Sequence, residues 1–266
     1  MTYQLLISTM GQKDDQISDI MNVKSDAIII NQCDCCAFDV FEKDGSILKM
    51  YSFDERGIGL SRNSALMRSN ADIIEFADDD MIFTDTYRED VLREFEKHPE
   101  ADAIIFSLES LNPKRPLLKI KEFGRVSKIE ALKYGCARLA VRREKVIHNN
   151  IFFSLLFGGG AKYACGEDTI FLQDCIRAGL KIYRSSVKVA DVKQDSSSWF
   201  DGYTENYYHD KGALFAAALP KLCYIYAVVS AIKAHSCDYG KIKILKLFLQ
   251  GIKEFKEHQN GKGSRK

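Results

Sequence analysis

The chain has 266 residues, of which 46% are hydrophobic and 28% are charged, and its formal net charge is +1. This length allows one large domain or a domain with an appendage, and the composition is that of a globular protein with a sizeable core. A net charge so close to zero gives no indication of a nucleic-acid partner.

Apolar runs alternate with helix-like stretches along the chain, which predicts an α/β fold. Residues 3–9 read as the first strand, and they lack the basic segment and cleavage site of a signal peptide. Residues 13–24 fit a helix. The continuous apolar run at 26–32 predicts a strand buried in a parallel sheet, and residues 46–53 predict the next strand.

The middle of the chain continues this alternation up to a cluster of acids. Ser61 is a suitable N-cap for a helix that follows a turn containing glycine. The apolar run at 71–77 predicts a strand, and it leads directly into three consecutive aspartates at 78–80. A helix over 85–97 and a strand over 103–108 are predicted to follow.

A second acidic motif lies further along the same pattern. Residues 137–146 predict a strand that enters a short helix. The glycine-rich loop at 158–160 precedes Glu167 and Asp168, which lie directly before another predicted helix. Residues 181–185 predict a short strand after that helix.

Three polar residues stand at or just beyond the ends of separate predicted strands: Thr9, Asn31 and Asp78. In open α/β sheets, ligands bind in the crevice outside the carboxyl ends of the strands. We therefore expect these three side chains to line one crevice.

The three aspartates predict a cation site. Alternation along a strand would place Asp78 and Asp80 on one side and Asp79 on the other. Such a pair can hold Mg²⁺ or Mn²⁺, whose remaining ligands come from substrate phosphates and water. The cation would offset the repulsion between neighbouring carboxylates. The alternative is an acidic turn that caps the following helix.

Glu167 and Asp168 are candidates for acid–base chemistry. A carboxylate at a helix N-terminus is stabilised in its charged form, as a general base requires. The alternative is that the two acids only cap the helix.

Several further residues are candidates with more than one interpretation. Arg62 could meet a phosphate or a base, or it could be an ordinary exposed residue. Lys193 and His209 are candidates for contacting a diphosphate. The run from Cys33 to Cys36 contains three cysteines, but no second pair of cysteines or histidines stands at the spacing of a zinc site.

Four segments in this order resemble the family 2 glycosyltransferases of the GT-A fold. They are a first strand that ends in Ser-Thr, then SRNSAL at 61–66, IIEFADDDMIF at 73–83 and GEDTIF at 166–171. The resemblance covers about residues 3–221. It implies a Rossmann-like nucleotide-diphospho-sugar transferase with a mostly parallel central sheet and a helical C-terminal extension.

The resemblance implies a UDP-sugar donor and a divalent metal ion, Mn²⁺ or Mg²⁺. The residues expected to bind the nucleotide-sugar are Thr9, Asn31, Gln32, Arg62, Asp78 and Asp79. Asp80 and Asp78 are the expected metal ligands. The family often has two aspartates where this chain has Asn31 and Gln32, and Lys193 stands near the place where many members have a metal-binding histidine.

The resemblance also implies the reaction. Asp168, preceded by Glu167, would deprotonate the acceptor hydroxyl, which attacks the anomeric carbon from the face opposite the diphosphate and inverts its configuration. Two alternatives stay open: a nucleotidyltransferase that acts on sugar phosphates, and a non-catalytic module that binds nucleotide-sugars.

The C-terminal part is predicted to form a basic helical extension at 222–266, following a glycosyltransferase domain at 1–221. Residues 207–222 resemble bacterial polysaccharide glycosyltransferases, which implies a saccharide or lipid-linked acceptor in capsule, exopolysaccharide or lipopolysaccharide synthesis. The longest apolar run near the C-terminus, 222–232, is shorter than the roughly 20 residues that cross a bilayer. We therefore expect a cytoplasmic protein whose extension either contacts the membrane surface peripherally or is a solvated tail.

Overall fold

The computed structural model describes residues 1–194, 202–234 and 239–263, and within them the chain forms ten strands, eight α-helices and one 3-10 helix. The strands are β1 (Tyr3–Met10), β2 (Ala27–Cys33), β3 (Ala37–Lys43), β4 (Ser46–Asp54), β5 (Ile73–Asp78), β6 (Met81–Phe83), β7 (Ala103–Ser110), β8 (Gly124–Arg125), β9 (Leu139–Arg142) and β10 (Ile182–Val192). The α-helices are α1 (Gln16–Ile20), α2 (Ile58–Arg68), α3 (Tyr87–Lys97), α4 (Arg143–His148), α5 (Glu167–Arg177), α6 (Glu205–Ala218), α7 (Cys223–Lys233) and α8 (Lys241–Gly263). The 3-10 helix covers Glu130–Lys133.

All ten strands belong to one sheet, in the order β3-β4-β2-β1-β5-β9-β7-β10-β6, with β8 paired to β10. The β1–β2, β1–β5, β2–β4 and β7–β10 pairs are parallel. β9 runs antiparallel between β5 and β7. Six strands therefore point the same way, and the predicted mostly parallel sheet is confirmed.

The central strands of the sheet are buried on both faces. One face packs on α3 through Tyr87, Val91 and Phe95. The other face contacts α2 through Ala65 and Leu66, together with side chains from α4 and the C-terminal part of α5. Burial on both sides explains why β2 and β5 read as continuous apolar runs without alternation.

The sequence interpretation missed the hairpin formed by β3 and β4. Lys43 pairs with Ser46 across a two-residue loop, in which Asp44 has a φ of 50° and Gly45 a φ of 78°. Positive φ at both positions is what a type I′ turn requires, and an Asp-Gly pair between apolar stretches is its usual signal. β3 lies at an edge of the sheet, so its exposed residues lack the apolar run used to identify the other strands.

Two helix predictions were wrong in their details. The helix predicted over 13–24 is only the five residues of α1. Ser61 is not an N-cap, because α2 begins three residues earlier with Gly57 as its N-cap. Ser61 is instead buried inside the helix, where its hydroxyl donates to Ser8 Oγ at 2.8 Å.

The described residues form two compact units. The first contains those within 1–153 and 171–197, and the second contains those within 154–170 and 198–266. The predicted boundary after residue 221 falls between α6 and α7 and stays a prediction. No helix in the described ranges is long and apolar enough to span a bilayer.

Within the second unit, α6 and α8 touch through their backbones. A Cβ added to Gly212 would lie 2.1 Å from the carbonyl oxygen of Phe248, and one added to Gly251 would lie 1.9 Å from that of His209. No side chain fits at either position, so the glycines set how closely the two helices approach.

Candidate active site

The three polar strand ends predicted to form a crevice are neighbours in the sheet. β1 lies between β2 and β5, and Thr9 is in register with Asn31 while Ser8 is in register with Asp78. The carboxyl ends of these parallel strands therefore meet at one edge, as the sequence predicted.

Thr9 links this edge to the acidic turn. Its hydroxyl donates to Asp79 Oδ2 at 2.7 Å and accepts from Gln12 Nε2 at 2.9 Å. Gln12 also exchanges two hydrogen bonds with Asn31: its backbone N–H donates to Asn31 Oδ1, and its carbonyl accepts from Asn31 Nδ2. The sequence interpretation did not single out Gln12, which holds the segment after β1 against β2.

The amides of Asn31 and Gln32 are both engaged with the protein itself. Asn31 Nδ2 donates to Ser52 Oγ at 3.0 Å in addition to the Gln12 carbonyl. Gln32 Nε2 donates to the carbonyl of Gly57 at 2.9 Å, and the Gly57 N–H donates back to Gln32 Oε1. These buried amides position two loops at the strand ends. Their predicted contact with a nucleobase stays a prediction.

Arg62 is a buried residue that pairs with the first aspartate, and it is not an ordinary exposed one. Its Nη2 donates to Asp78 Oδ1 at 2.9 Å, and its guanidinium lies over the ring of Phe153 at 5.3 Å from the centroid. Asn63, next on α2, makes two hydrogen bonds with the Phe153 backbone. The middle of α2 therefore holds both Asp78 and the segment around Phe153.

The three aspartates do not continue the strand. β5 ends at Asp78, and Asp79 and Asp80 form a turn that leads into β6. Strand alternation therefore does not decide where their side chains point. Asp78 meets Arg62, Asp79 meets Thr9, and the carbonyl of Asp80 accepts from the N–H of Lys193 at 3.0 Å. Lys193, predicted near a diphosphate, thus lies beside the acidic turn.

Asp80 is the aspartate whose charge is least well compensated. Burial, followed by repulsion from Asp78 and Asp79, raises its pKa to about 6, although a hydrogen bond from the Gln194 N–H opposes the increase. A bound cation would remove the same repulsion and favour the ionised carboxylate. The Asp80 carboxyl is thus a chemically suitable ligand for a cation, and its role in holding the metal ion that the resemblance implies stays a prediction.

The protein offers few metal ligands here. In the part of the chain that the structure describes, no group of three or more His, Cys, Asp or Glu side chains is arranged to hold a metal ion. A cation at Asp80 would therefore need most of its ligands from substrate and water, which is the usual way that Mg²⁺ is bound beside phosphates.

The second acidic motif lies in the second unit. Glu167 and Asp168 form the first turn of α5, where the predicted helix begins. Gly166, before them, has a φ of 111°, and a Cβ there would lie 2.5 Å from Leu214 Cδ1 on α6. The positive φ favours glycine at this position, and any larger residue would also force the Leu214 side chain to move. The loop and α6 thus fix where the two acids emerge.

A polar cluster in the second unit holds the same loop. Asp210 is nine-tenths buried, and its Oδ2 accepts from the N–H of Ala164 at 2.9 Å. His209 lies between Asp210 and Glu254, with ring nitrogens 3.2 and 3.1 Å from their carboxylates. His209, predicted as a diphosphate contact, is therefore engaged by two carboxylates of its own unit.

No protein-family model matches the chain, and no curated protein matches it. Solved structures do match. Residues 1–349 of S. aureus TarS in complex with UDP-GlcNAc superpose with a TM-score of 0.61 at 15% identity, over 96% of this chain and 73% of that one. The complex of the same TarS fragment with UDP gives a TM-score of 0.60 at 13% identity, over 96% and 70% of the two chains.

The chain has the GT-A fold. The TarS structures share the fold that the sequence resemblance implies, so the predicted fold is confirmed. A longer TarS structure matches with a TM-score of 0.58 over 94% of this chain and 43% of that one. At such low sequence identity the match establishes the GT-A fold and does not establish the activity, which depends on the residues of the site.

Proposed function

We propose that this protein is a glycosyltransferase that transfers a sugar from a UDP-sugar to a saccharide acceptor. The observation that supports the proposal is the turn at 78–80, in which a partly buried carboxyl lies beside two others at the carboxyl ends of the parallel strands, where open α/β sheets bind ligands. TarS structures with UDP and UDP-GlcNAc support a nucleotide-sugar as the donor class.

On the donor side, the chain's own residues bind and orient. Asp78 is held by Arg62 at 2.9 Å, and Asp79 is held by Thr9 at 2.7 Å, so both carboxylates have defined positions. In this proposal Asp78 and Asp79 contact the nucleoside, while Asp80 and Asp78 hold Mn²⁺ or Mg²⁺. When bound, that ion would stabilise the charge on the departing diphosphate.

On the acceptor side, Asp168 is the proposed base. The acceptor hydroxyl gives its proton to the Asp168 carboxylate, and its oxygen forms a bond to the anomeric carbon. The bond from that carbon to the diphosphate oxygen breaks with its electron pair, and UDP leaves. Attack opposite the leaving group inverts the anomeric configuration. Asp168 lies in the first turn of α5, at the positive end of the helix dipole.

The acceptor is proposed to be a saccharide, carried on a lipid, in the synthesis of a bacterial surface polysaccharide in the cytoplasm. This part rests on the resemblance of residues 207–222 to bacterial polysaccharide glycosyltransferases.

The first test measures donor binding and hydrolysis. The purified protein is titrated calorimetrically with UDP-, GDP- and dTDP-sugars in Mn²⁺, in Mg²⁺ and in EDTA, and released nucleotide diphosphate is quantified. We expect one UDP-sugar to bind only with a divalent ion, and Asp80→Ala to abolish that binding. Binding of no donor with either ion would overturn the proposal.

The base is tested with Asp168→Asn, which removes the carboxylate and keeps the size of the side chain. Turnover should fall by roughly 10²–10⁴-fold, as expected for a general base, while the dissociation constant of the donor changes little. Unchanged turnover would argue for another base, whereas donor binding without any turnover in the unaltered protein would argue for a binding module. Pyrophosphate release from a nucleoside triphosphate and a sugar phosphate would instead identify a nucleotidyltransferase.

A further inference from the structure

Helix α7 turns its large apolar side chains outward. Five of them are exposed along the helix: Tyr224, Ile225, Val228, Val229 and Ile232. They stand at spacings of one, three and four residues, so they form one continuous stripe, which we call the α7 stripe. Ile225 and Ile232 are each 60% exposed.

The inward side of α7 is lined by small residues. Cys223, Ala227 and Ala231 recur every four residues and are buried within the second unit. This arrangement reverses the usual one, in which a surface helix buries its large apolar residues and exposes polar ones. The helix thus packs through its small side and keeps the α7 stripe available for contact with something apolar.

Positive charge surrounds the α7 stripe. The helix contains no acidic residue, Lys221 precedes it, and Lys233 is its last residue. On the neighbouring helix, Lys256 Nζ lies 4.4 Å from the ring centroid of Tyr224. From Lys221 to the end of the chain there are ten Lys or Arg and three Asp or Glu, a net charge of +7.

We propose that the α7 stripe lies in the interfacial layer of a membrane that contains anionic lipid. Apolar side chains flanked by lysines match the two halves of such a surface, because the side chains enter the acyl boundary while the ammonium groups meet lipid phosphates. A helix of 11 residues is about 16 Å long, so it lies along the surface and does not cross it. The inference goes beyond the proposed function, because it holds whichever donor is used.

The surface can be tested by sedimentation with lipid vesicles. Full-length protein is mixed with vesicles of phosphatidylcholine alone and with vesicles containing about one-third phosphatidylglycerol. We expect binding to the anionic vesicles only, and weaker binding as salt is raised. The double variant Ile225→Glu/Ile232→Glu should reduce the bound fraction about tenfold or more, because it removes two apolar side chains and adds two negative charges.

The matched control is Ile47→Glu/Ile129→Glu, which makes the same two chemical changes at residues that are 43% and 57% exposed in the first unit. It should bind vesicles as the unaltered protein does. Circular dichroism and the thermal midpoint verify that every variant is folded, and calorimetric donor binding verifies that the site is unaffected.

Three results would overturn the inference. The first is that the unaltered protein does not bind anionic vesicles, and the second is that the double variant binds them equally well. The third is a dimer in light scattering that the double variant abolishes without any vesicle binding, which would make the α7 stripe an interface between two copies of the chain. If the unaltered protein binds anionic vesicles but no UDP-sugar, the proposed function is contradicted and the inferred membrane contact is not.

Discussion

Replacing Asp80 by Asn should make the protein more stable while it removes cation-dependent donor binding. The carboxyl of Asp80 is partly buried beside two other carboxylates, which raises its pKa to about 6. A folded-state pKa above the ordinary value means that the folded protein binds the proton more tightly than the unfolded chain does. The associated stability is therefore present below pH 4 and is lost as the pH rises through 6.

The size of the effect follows from the two pKa values. A pKa near 6 in place of 3.8 corresponds to about 3 kcal/mol at most. Because Asp80 is only partly buried, water and salt screen part of this energy, and about 1.5 kcal/mol is a better expectation. Asp80→Asn should raise the free energy of unfolding by that amount at pH 7.5 and by progressively less towards pH 4.5.

Urea unfolding followed by circular dichroism at pH 4.5, 6 and 7.5 measures the difference between the two proteins. Asp39→Asn, on the exposed strand β3, makes the same chemical change and should alter stability by less than about 0.5 kcal/mol. Saturating Mn²⁺ and UDP should make the unaltered protein more stable than Asp80→Asn. Binding should stabilise the unaltered protein by about 2.7 kcal/mol at a hundredfold excess of ligand over the dissociation constant. A loss of stability in Asp80→Asn at pH 7.5, or a gain independent of pH, would refute the reasoning.

Two further substitutions test how the scaffold holds the site. Arg62→Ala removes the buried partner of Asp78 and the packing over Phe153, and urea unfolding should show a loss of about 2–3 kcal/mol; a loss below 1 kcal/mol would contradict a structural role for the pair. Gly212→Ala forces a Cβ against the backbone of α8 and should lower the thermal midpoint markedly, with a cost of at least about 2 kcal/mol, whereas Gly240→Ala has open space and should change little.

Much of the first unit could be predicted from the sequence because its signals are local. Continuous apolar runs identified β1, β2 and β5, since these strands are buried on both faces and need no alternation. The position of the acids at the end of β5 then placed them at the carboxyl edge of the parallel strands, where Asp78 is in register with Ser8 and Thr9 with Asn31.

What could not be predicted depends on contacts between distant segments. Whether Asn31 presents its amide to a ligand or to Gln12 depends on where a loop folds back, and no pattern within β2 contains that information. In the sequence, Gly212 only weakens the prediction of a helix. The need for glycine there is explained by the backbone of α8, which packs against that position. The outward stripe of α7 was read as a single apolar run, because a run does not reveal which side of a helix is covered.

Strand β5, which leads into the acidic turn, contains a second carboxyl whose pKa is raised. Together with Asp80, it allows an effect of pH on donor binding to be distinguished from an effect of pH on folding. Glu75 is fully buried in β5, accepts a hydrogen bond from the Tyr3 hydroxyl and has a pKa raised by burial to about 7. As for Asp80, the pKa is higher in the folded protein than in the unfolded chain, so the contribution of Glu75 to stability is lost as the pH rises through 7. This part of the sheet therefore gains stability on acidification. Cation-dependent donor binding should move the opposite way and weaken below pH 6, because protons compete with the cation for Asp80. Calorimetric donor titrations and urea unfolding at pH 5.5 and 7.5 should therefore show weaker binding in a protein that has not lost stability. If binding and stability fell together, acid would be unfolding the scaffold, and protonation of the turn would not be the cause.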